Sequence, residues 1–494
     1  MRPARIACYP QNNSKIGPGA HHATAAEEPF SMSIDIKSLF AENEAGRYAL
    51  HTRHLNEQMV RVLKTIGYDV GFVRGQGAYL WDRAGDKYLD LLSGWGVFAL
   101  GRNNPKVNDA LRQVLDSELP NLVQMDVSPL AGVVAERLLA RAPWLDKAFF
   151  ANSGTESVEA AIKFVRAATG RAGLAHCGHA FHGLSYGSLS LNGDQIFRKG
   201  FEGFLTDTVE VPFNDLTALE DALKTKKIAG FFVEPIQGKG VHVPDDGYLK
   251  GVQELCKKYG TLFVADEIQT GVGRTGKFFA IDHWPGVEPD LVLVAKALSG
   301  GHVPVGAVLT RKWIFDKLFN RMDRAVVHGS TFAKNDMAMA AALATLSILE
   351  EDGVIENAAA KGERLAASFR SMIGRHELMK DVRGKGLMIG IEFGEPKSFA
   401  LRMSWHALET ANKGLFSQMI TIPLFKEHKV LCQVAGHGMN IVKLLPALTL
   451  TEDDCKWIED SFEETIAAAH KVPGAAWSLG KTLAGHALKS RAEA

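Results

Sequence analysis

The chain has 494 residues, 46% of them hydrophobic and 23% charged, and its 56 Lys and Arg balance 56 Asp and Glu to a formal net charge of zero. That length implies two domains or one large elaborated one, and the missing basic excess argues against a nucleic-acid or membrane-surface partner. Five scattered cysteines, Cys8, Cys177, Cys256, Cys432 and Cys455, show no CxxC spacing, no apolar run approaches a membrane span, and Arg2 and Arg5 lead into polar sequence, so a reduced, cytoplasmic protein is expected.

Residues 1–31 are rich in Pro, Gly, Ala, His and Asn without a period and read as a disordered extension. Leu55, Met59, Val62, Leu63 and Ile66 suggest one amphipathic helix over 41–66, and Ala78 to Gly94 reads as a hairpin with its turn at Asp82 to Asp86. The middle of the chain alternates short apolar runs with helical patterns. The runs are Lys147 to Ala151, Gly173 to Cys177, Ala229 to Glu234, Thr261 to Glu267 and Asp290 to Lys296, with helices at Leu216 to Leu223 and Tyr248 to Tyr259 between them. Such alternation predicts an α/β fold, a parallel sheet covered on both faces with ligands at the carboxyl ends of its strands. After Leu349 the pattern changes to a smaller α+β unit, with strands at Leu387 to Phe393 and Met439 to Leu445 and a helix opened by Thr451 and Asp454 as a capping box.

Several strand ends carry chemistry. Lys296 closes a run that reads as a buried strand, where a cation is costly unless used. Desolvation there can lower its pKa enough for a Schiff-base amine and proton shuttle. In "FFANSGTESVEAAIKF", Ser153 and Glu156 bracket Gly154 and Thr155 at a helix start, which aims amides and the helix dipole at an anion such as phosphate, although capping boxes commonly do no more than cap. In "FVADEIQTGVGRTG", strand alternation sends Asp266 and Ile268 to one face and Glu267 and Gln269 to the other. An acid beside an apolar side chain can hold the edge and the flat face of a protonated aromatic ring, while ordinary salt bridging explains the acids alone.

Two motifs mislead. "GVGRTG", Gly271 to Gly276, satisfies GxGxxG, but the run that follows carries aromatics and Pro285 instead of a helix, so a dinucleotide site is rejected. His176, His179 and His182 leave a strand into a glycine loop and need not converge, so no metal is expected, and Phe181 with His182 reads as an aromatic platform over the sheet edge. Together the pieces request a phosphorylated heteroaromatic cation with a carbonyl that a lysine attacks, which describes pyridoxal 5'-phosphate.

From about residue 45 to 470 the sequence resembles the class III, ornithine/omega-type, pyridoxal-phosphate aminotransferases, on "GAYLWDRAGDKYLDLLSG", "FFANSGTESVEAAIKFVR", "FHG", "VEPIQG", "DEIQTGVGRTG", "AKALSGG" and "HGSTF" in order. The resemblance implies fold type I, a large mostly parallel-sheet domain with helices on both faces (96–345) and a smaller α+β domain built from both chain ends (32–95 and 346–494). It implies that Lys296 forms the Schiff base, Asp266 pairs with the pyridinium nitrogen, Ile268 and Phe181 sandwich the ring and Gln269 touches the ring hydroxyl, with His182 and Glu234 also lining the cofactor. Ser153, Gly154 and Thr155 would hold the phosphate, joined by Thr331 and Ser330 from the partner subunit of a homodimer. The implied reaction is a ping-pong transfer from a small-molecule amine donor to a 2-oxo acid. An aminomutase or racemase would use the same residues; a non-catalytic scaffold would not need the lysine, acid and phosphate cup intact.

Members of ornithine and aminobutyrate type carry Glu after "EPIQG" and Arg near the C-terminus, where this chain has Lys239 and Lys443. Lysine lacks the guanidinium fork that clamps carboxylates. The donor is therefore expected to be an amine lacking an α-carboxylate, or an ω-amino acid, with Lys239 or Lys443 left to hold the keto acid; the plainer reading has both lysines facing solvent. Trp95 and Phe98 would line an apolar substrate wall or pack in the core.

Overall fold

The computed structural model describes residues 34–471 and 474–493, so the extension expected over 1–31 lies outside the described residues. Two compact units meet in sequence at Glu57 and Gln58. The first contains helices Ile36–Glu44 and Arg47–His54, neither with a buried residue. The single helix expected over 41–66 is instead three, the last being Glu57–Ile66. Gly46 separates the first two and Leu55 leaves the helical region at φ −129° and ψ −135°, local breaks that an apolar period cannot report. Leu55, Met59 and Val62 are consequently exposed, while Val60 is buried.

Along the second unit the strands are β1 (Phe72–Gln76), β2 (Tyr79–Asp82), β3 (Lys87–Asp90), β4 (Lys147–Ala151), β5 (Gly173–Cys177), β6 (Thr208–Val211), β7 (Ile228–Val233) and β8 (Leu262–Asp266). They continue with β9 (Leu291–Val294), β10 (Gly306–Thr310), β11 (Met379–Lys385), β12 (Met388–Phe393), β13 (Val430–Leu431), β14 (Gln433–Val434) and β15 (Ile441–Leu444). The central sheet has the order β4-β10-β9-β8-β7-β5-β6. It is parallel except for β10, which runs antiparallel to both neighbours. Only the eleven residues 295–305, with one 3-10 turn, separate β9 from β10, too few for the helical crossover that a parallel return requires. The sequence reading had placed neither β6 nor β10.

Side chains alternate between two cores. Leu262 and Val264 face one side with Val158, Ala161, Phe164 and Val165 of the helix Gly154–Thr169, and Phe263 and Ala265 face the other. Continuous apolar strands are what a sheet covered on both faces needs. A hairpin of β2 and β3, with Gly85 at φ 89° in its turn, extends to β1 and pairs through β3 with β13, which ties the two ends of the second unit together. β11, β12, β15 and β14 form a separate antiparallel sheet. The segment beyond Pro473, which suggested nothing in sequence, forms the helix Ala475–Glu493; Trp477 packs on Phe416 and donates to Ala469 O at 2.9 Å.

Candidate active site

Turns leaving the carboxyl ends of β4, β5, β7, β8 and β9 bring the candidate residues together where ligands bind in such sheets. β9 stops at Val294, two residues before the lysine expected to close it, and Lys296 opens a 3-10 turn, Lys296–Ser299, at φ 42°. A left-handed non-glycine costs about 1–2 kcal/mol, and here it turns the amine inward from the sheet edge. Gly301, at φ 100°, closes the turn against Phe98, whose Cδ1 lies 2.3 Å from where a Cβ would sit. Burial lowers the pKa of Lys296, with the charges of Asp266 and Glu234 opposing, so the amine sits nearer its neutral, nucleophilic form.

Asp266 ends β8 almost fully buried. Its Oδ1 accepts from Ile268 N at 3.0 Å, an Asx turn that bends the chain off the strand. The alternation expected beyond this point therefore fails. Glu267 turns away to accept from Ile281 N at 2.8 Å, with burial pushing its carboxyl up to about 7, whereas Gln269 swings back to the site. Oδ2 of Asp266 lies 2.7 Å from His182 Nδ1, which must be the donor because a carboxylate only accepts. Burial pulls the His182 pKa down, but the hydrogen bond and charge of Asp266 outweigh it and the net shift is upward. Asn192 fixes the loop around this pair, accepting from His182 N at 2.8 Å and donating to Gly183 O at 2.8 Å. His176 bonds its neighbour's carbonyl and His179 faces His242, so the three histidines point apart.

At the end of β4, Ser153 caps the helix Gly154–Thr169 by accepting from Glu156 N at 3.2 Å, and Glu156 returns to Asn152 N at 2.7 Å. The amides of Gly154 and Thr155 lie at positions with no intrahelical acceptor. A Cβ on Gly154 would sit 2.9 Å from Ile268 Cγ2, and one on Gly183 would sit 2.4 Å from Thr155 Oγ1. Three sequence motifs thus touch. Thr155 Oγ1 also lies 2.7 Å from the hydroxyls of Ser185 and of Ser188, a cluster that the sequence reading missed although "GLSYGSL" advertises its hydroxyls. Ser330 accepts from Asn152 of the same chain at 2.6 Å, whereas Thr331 is exposed.

Glu234, after β7, accepts from Phe181 N at 3.0 Å and from Gly238 N at 2.7 Å. Burial raises its carboxyl above the usual range, with His182 opposing. Gly238 O in turn accepts from Lys443 Nζ at 2.7 Å, and Lys443 also reaches Gln269 Oε1 at 3.2 Å. Gln269 Nε2 donates to Trp95 O at 3.2 Å. Neither departing lysine faces solvent: Lys443 is buried on β15, its pKa lowered to about 7 by burial and by Lys296, and Lys239 is buried against Asp194 Oδ2 at 2.9 Å. Trp95 belongs to a left-handed run from Ser93 to Gly96, with φ of 46°, 61°, 59° and 88°, and is 59% exposed, so it is not a core residue. Asp194 had no distinguishing signal in the sequence, because its partner lies across the fold.

This donor set suits a phosphorylated pyridinium carbaldehyde: two amides at a helix start for the phosphate, a buried acid with lone pairs left for a ring N–H, an apolar Ile268 beside it, and a desolvated lysine.

Comparison with known proteins agrees. The family described as Aminotransferase class-III matches residues 65–466. Aminotransferase PigE of Serratia sp. (strain ATCC 39006) is 34% identical over 473 residues, covering 87% of this chain but 55% of the relative, so the chain spans about half the length of that curated protein. Among solved structures, ornithine aminotransferase from Toxoplasma gondii ME49 superposes with a TM-score of 0.73 at 28% identity, over 86% of this chain and 98% of that one. An amine transaminase from an uncultivated Pseudomonas species, solved in its PLP-bound internal-aldimine form, does so with a TM-score of 0.69 at 28% identity, over 80% and 94%. With its fold type I sheet and its motifs meeting at one strand-end site, the chain belongs to the class III aminotransferase family.

Proposed function

We propose that the protein is a pyridoxal-phosphate-dependent aminotransferase that takes an amino group from an amine lacking an α-carboxylate, or from an ω-amino acid, and delivers it to a 2-oxo acid in the cytoplasm. The observation that carries this reading is the desolvated amine of the half-buried Lys296, within electrostatic reach of Asp266, which is itself bonded to His182. When bound, the cofactor supplies an aldehyde that exchanges amino groups and a ring that stores an electron pair. Lys296 Nζ would hold the aldehyde carbon and, as a free amine, would serve as the base for the proton on the substrate carbon that bears the amino group. Asp266 would accept the ring N–H, with His182 Nδ1 donating to its Oδ2. Gly154 and Thr155 hold the phosphate through their amides, with Ser153 shaping the cup; Ile268 and Phe181 cover the ring faces; Gln269 and Glu234 hold the side that bears the ring oxygen.

Lys443 is the group left to bind the 2-oxo acid's carboxylate, since its present acceptors, Gly238 O and Gln269 Oε1, are both neutral. Lys239 is already engaged by Asp194. A homodimer is supported by apolar side chains lying bare: Met125 at 97%, between Asn121 and Ser128, which both bond Asp336, and Met322 at 95% and Val326 at 91% exposure. A second copy covering them would carry the exposed Thr331 to its neighbour's phosphate, while Ser330 stays with Asn152 of its own chain.

The test is the visible absorption of the cofactor-loaded protein while amino acids, diamines, ω-amino acids and apolar monoamines are added in turn, with Lys296→Ala as control. Bleaching by one donor class, reversed by pyruvate or 2-oxoglutarate and slowed at least about 10³-fold in Lys296→Ala, is the expected result. Bleaching that no 2-oxo acid reverses would overturn transamination.

A further inference from the structure

The transamination reading leaves Lys239 without a task, yet it is one of the most connected side chains near the site. Its backbone follows Gly238, which is tied to Glu234 and Lys443. Its Nζ lies 2.9 Å from Asp194 Oδ2, 4.2 Å from the ring centre of Phe197 and 5.5 Å from that of Phe181. Phe181 and Phe197 meet edge to face at 5.5 Å. One cation thus joins the floor of the site to Phe181 and to the segment carrying Asp194 and Phe197.

That segment has the form of a flap. Asp194 caps the short helix Gln195–Arg198, accepting from Ile196 N at 3.1 Å. At its start Gly193 is wedged, since a Cβ would come within 2.4 Å of His179 N. At its far end Gly200 and Gly203 adopt φ of 90° and 100° with open space where a Cβ would stand. The outer side is uncovered, with Ile196 50% and Phe201 53% exposed. Its inner side meets the site through Phe197 on Phe181. A pair buried to this degree, with side-chain exposures of 9% and 18%, is costly to break from one side only, and the ammonium over two phenyl faces adds attraction that water does not screen.

We propose that Lys239 is a positioning residue: through Asp194 it latches the Gly193–Gly203 flap onto Phe181, and so holds the apolar wall of the cofactor site in place. The placing of Phe181 against the cofactor rests on the function proposed above; the latch does not.

The test uses the full-length protein and separates the two parts. Arg198 and the exposed Lys199 lie in the flap, so the rate of tryptic cleavage there reports its opening without any cofactor. Lys239→Met and Asp194→Asn are each expected to raise that rate about tenfold. The double variant should open no further than either single, and the exchanged pair Lys239→Asp with Asp194→Lys should move back toward wild type. If Lys239→Met does not fold, Asp194→Asn carries the test. Cleavage within about twofold of wild type in the singles, or multiplying in the double, overturns the latch. In the loaded enzyme, cofactor release on dilution should quicken in the same order; unchanged release alongside faster cleavage overturns the hold on Phe181 while leaving the transamination reading intact.

Discussion

Two imidazole–carboxylate contacts of almost equal length sit in different parts of the molecule. His182 and Asp266 are 2.7 Å apart with side-chain exposures of 0% and 3%; His376 and Glu463 are 2.8 Å apart with exposures of 10% and 32%. The first is closed to water, and Asp266 drives the His182 pKa upward against burial. In the second, burial pushes Glu463 up, but His376 and Arg375 together more than offset it and its carboxyl lies below the usual range. Water screens that pair, and Arg375 shares it at 2.8 Å. Distance alone therefore does not say what such a contact does. Burial decides whether it tunes a reacting group or merely joins a loop to a helix.

The comparison breaks most readily at the buried pair. His182→Gln removes a cation from beside Asp266 and should weaken pyridoxal phosphate affinity about 10- to 100-fold, read by equilibrium titration of the apoprotein. The sign of the pH effect follows from the raised folded pKa: the pair's contribution is complete below the ordinary histidine range and is lost as pH climbs through the folded value. Wild type should thus lose cofactor affinity on the alkaline side, and the variant should lack that limb. An intermediate effect is expected at Lys443, which is buried like His182 but faces only neutral acceptors. Lys443→Met should raise the KM for the 2-oxo acid about tenfold near pH 6, with a smaller effect on the amine half-reaction. The two proteins should converge as pH rises past about 7, where Lys443 sheds its proton; equal KM values at pH 6 would remove Lys443 from carboxylate binding. At the small end, His376→Gln should change stability by no more than about 1 kcal/mol and leave turnover unaltered, measured by denaturant melts and steady-state rates. A large loss of activity there would show that exposure is a poor guide.

Much of the site was legible before folding because its residues lie in short motifs whose local geometry is self-contained. Ser153 to Glu156 is a cap, the stretch ending at Asp266 is a strand end, and Lys296 is a cation where an apolar run should close. The failures share one cause. Gln269 was sent to the wrong face because the Asx turn at Asp266 ends the strand period there. For Lys239 and Lys443 the choice between the site and solvent stayed open because Asp194 and Gly238, their partners, lie 45 and 205 residues away in sequence. β10 escaped notice because its direction depends on the short connection before it and on neighbours at both sides.

By itself, the amino-acid order determined the sheet-forming runs, the helix starts and the family, and it singled out the candidate lysine, acid and phosphate-cup residues, since periodicity, capping and turn chemistry act over a few residues. Only the tertiary structure decided that His182 stands behind Asp266, that Lys443 is a buried cation without a carboxylate, and that Lys239 belongs to Asp194. Those outcomes depend on exclusion of water and on contacts between distant segments, and both arise only when the strand ends have been brought to one edge.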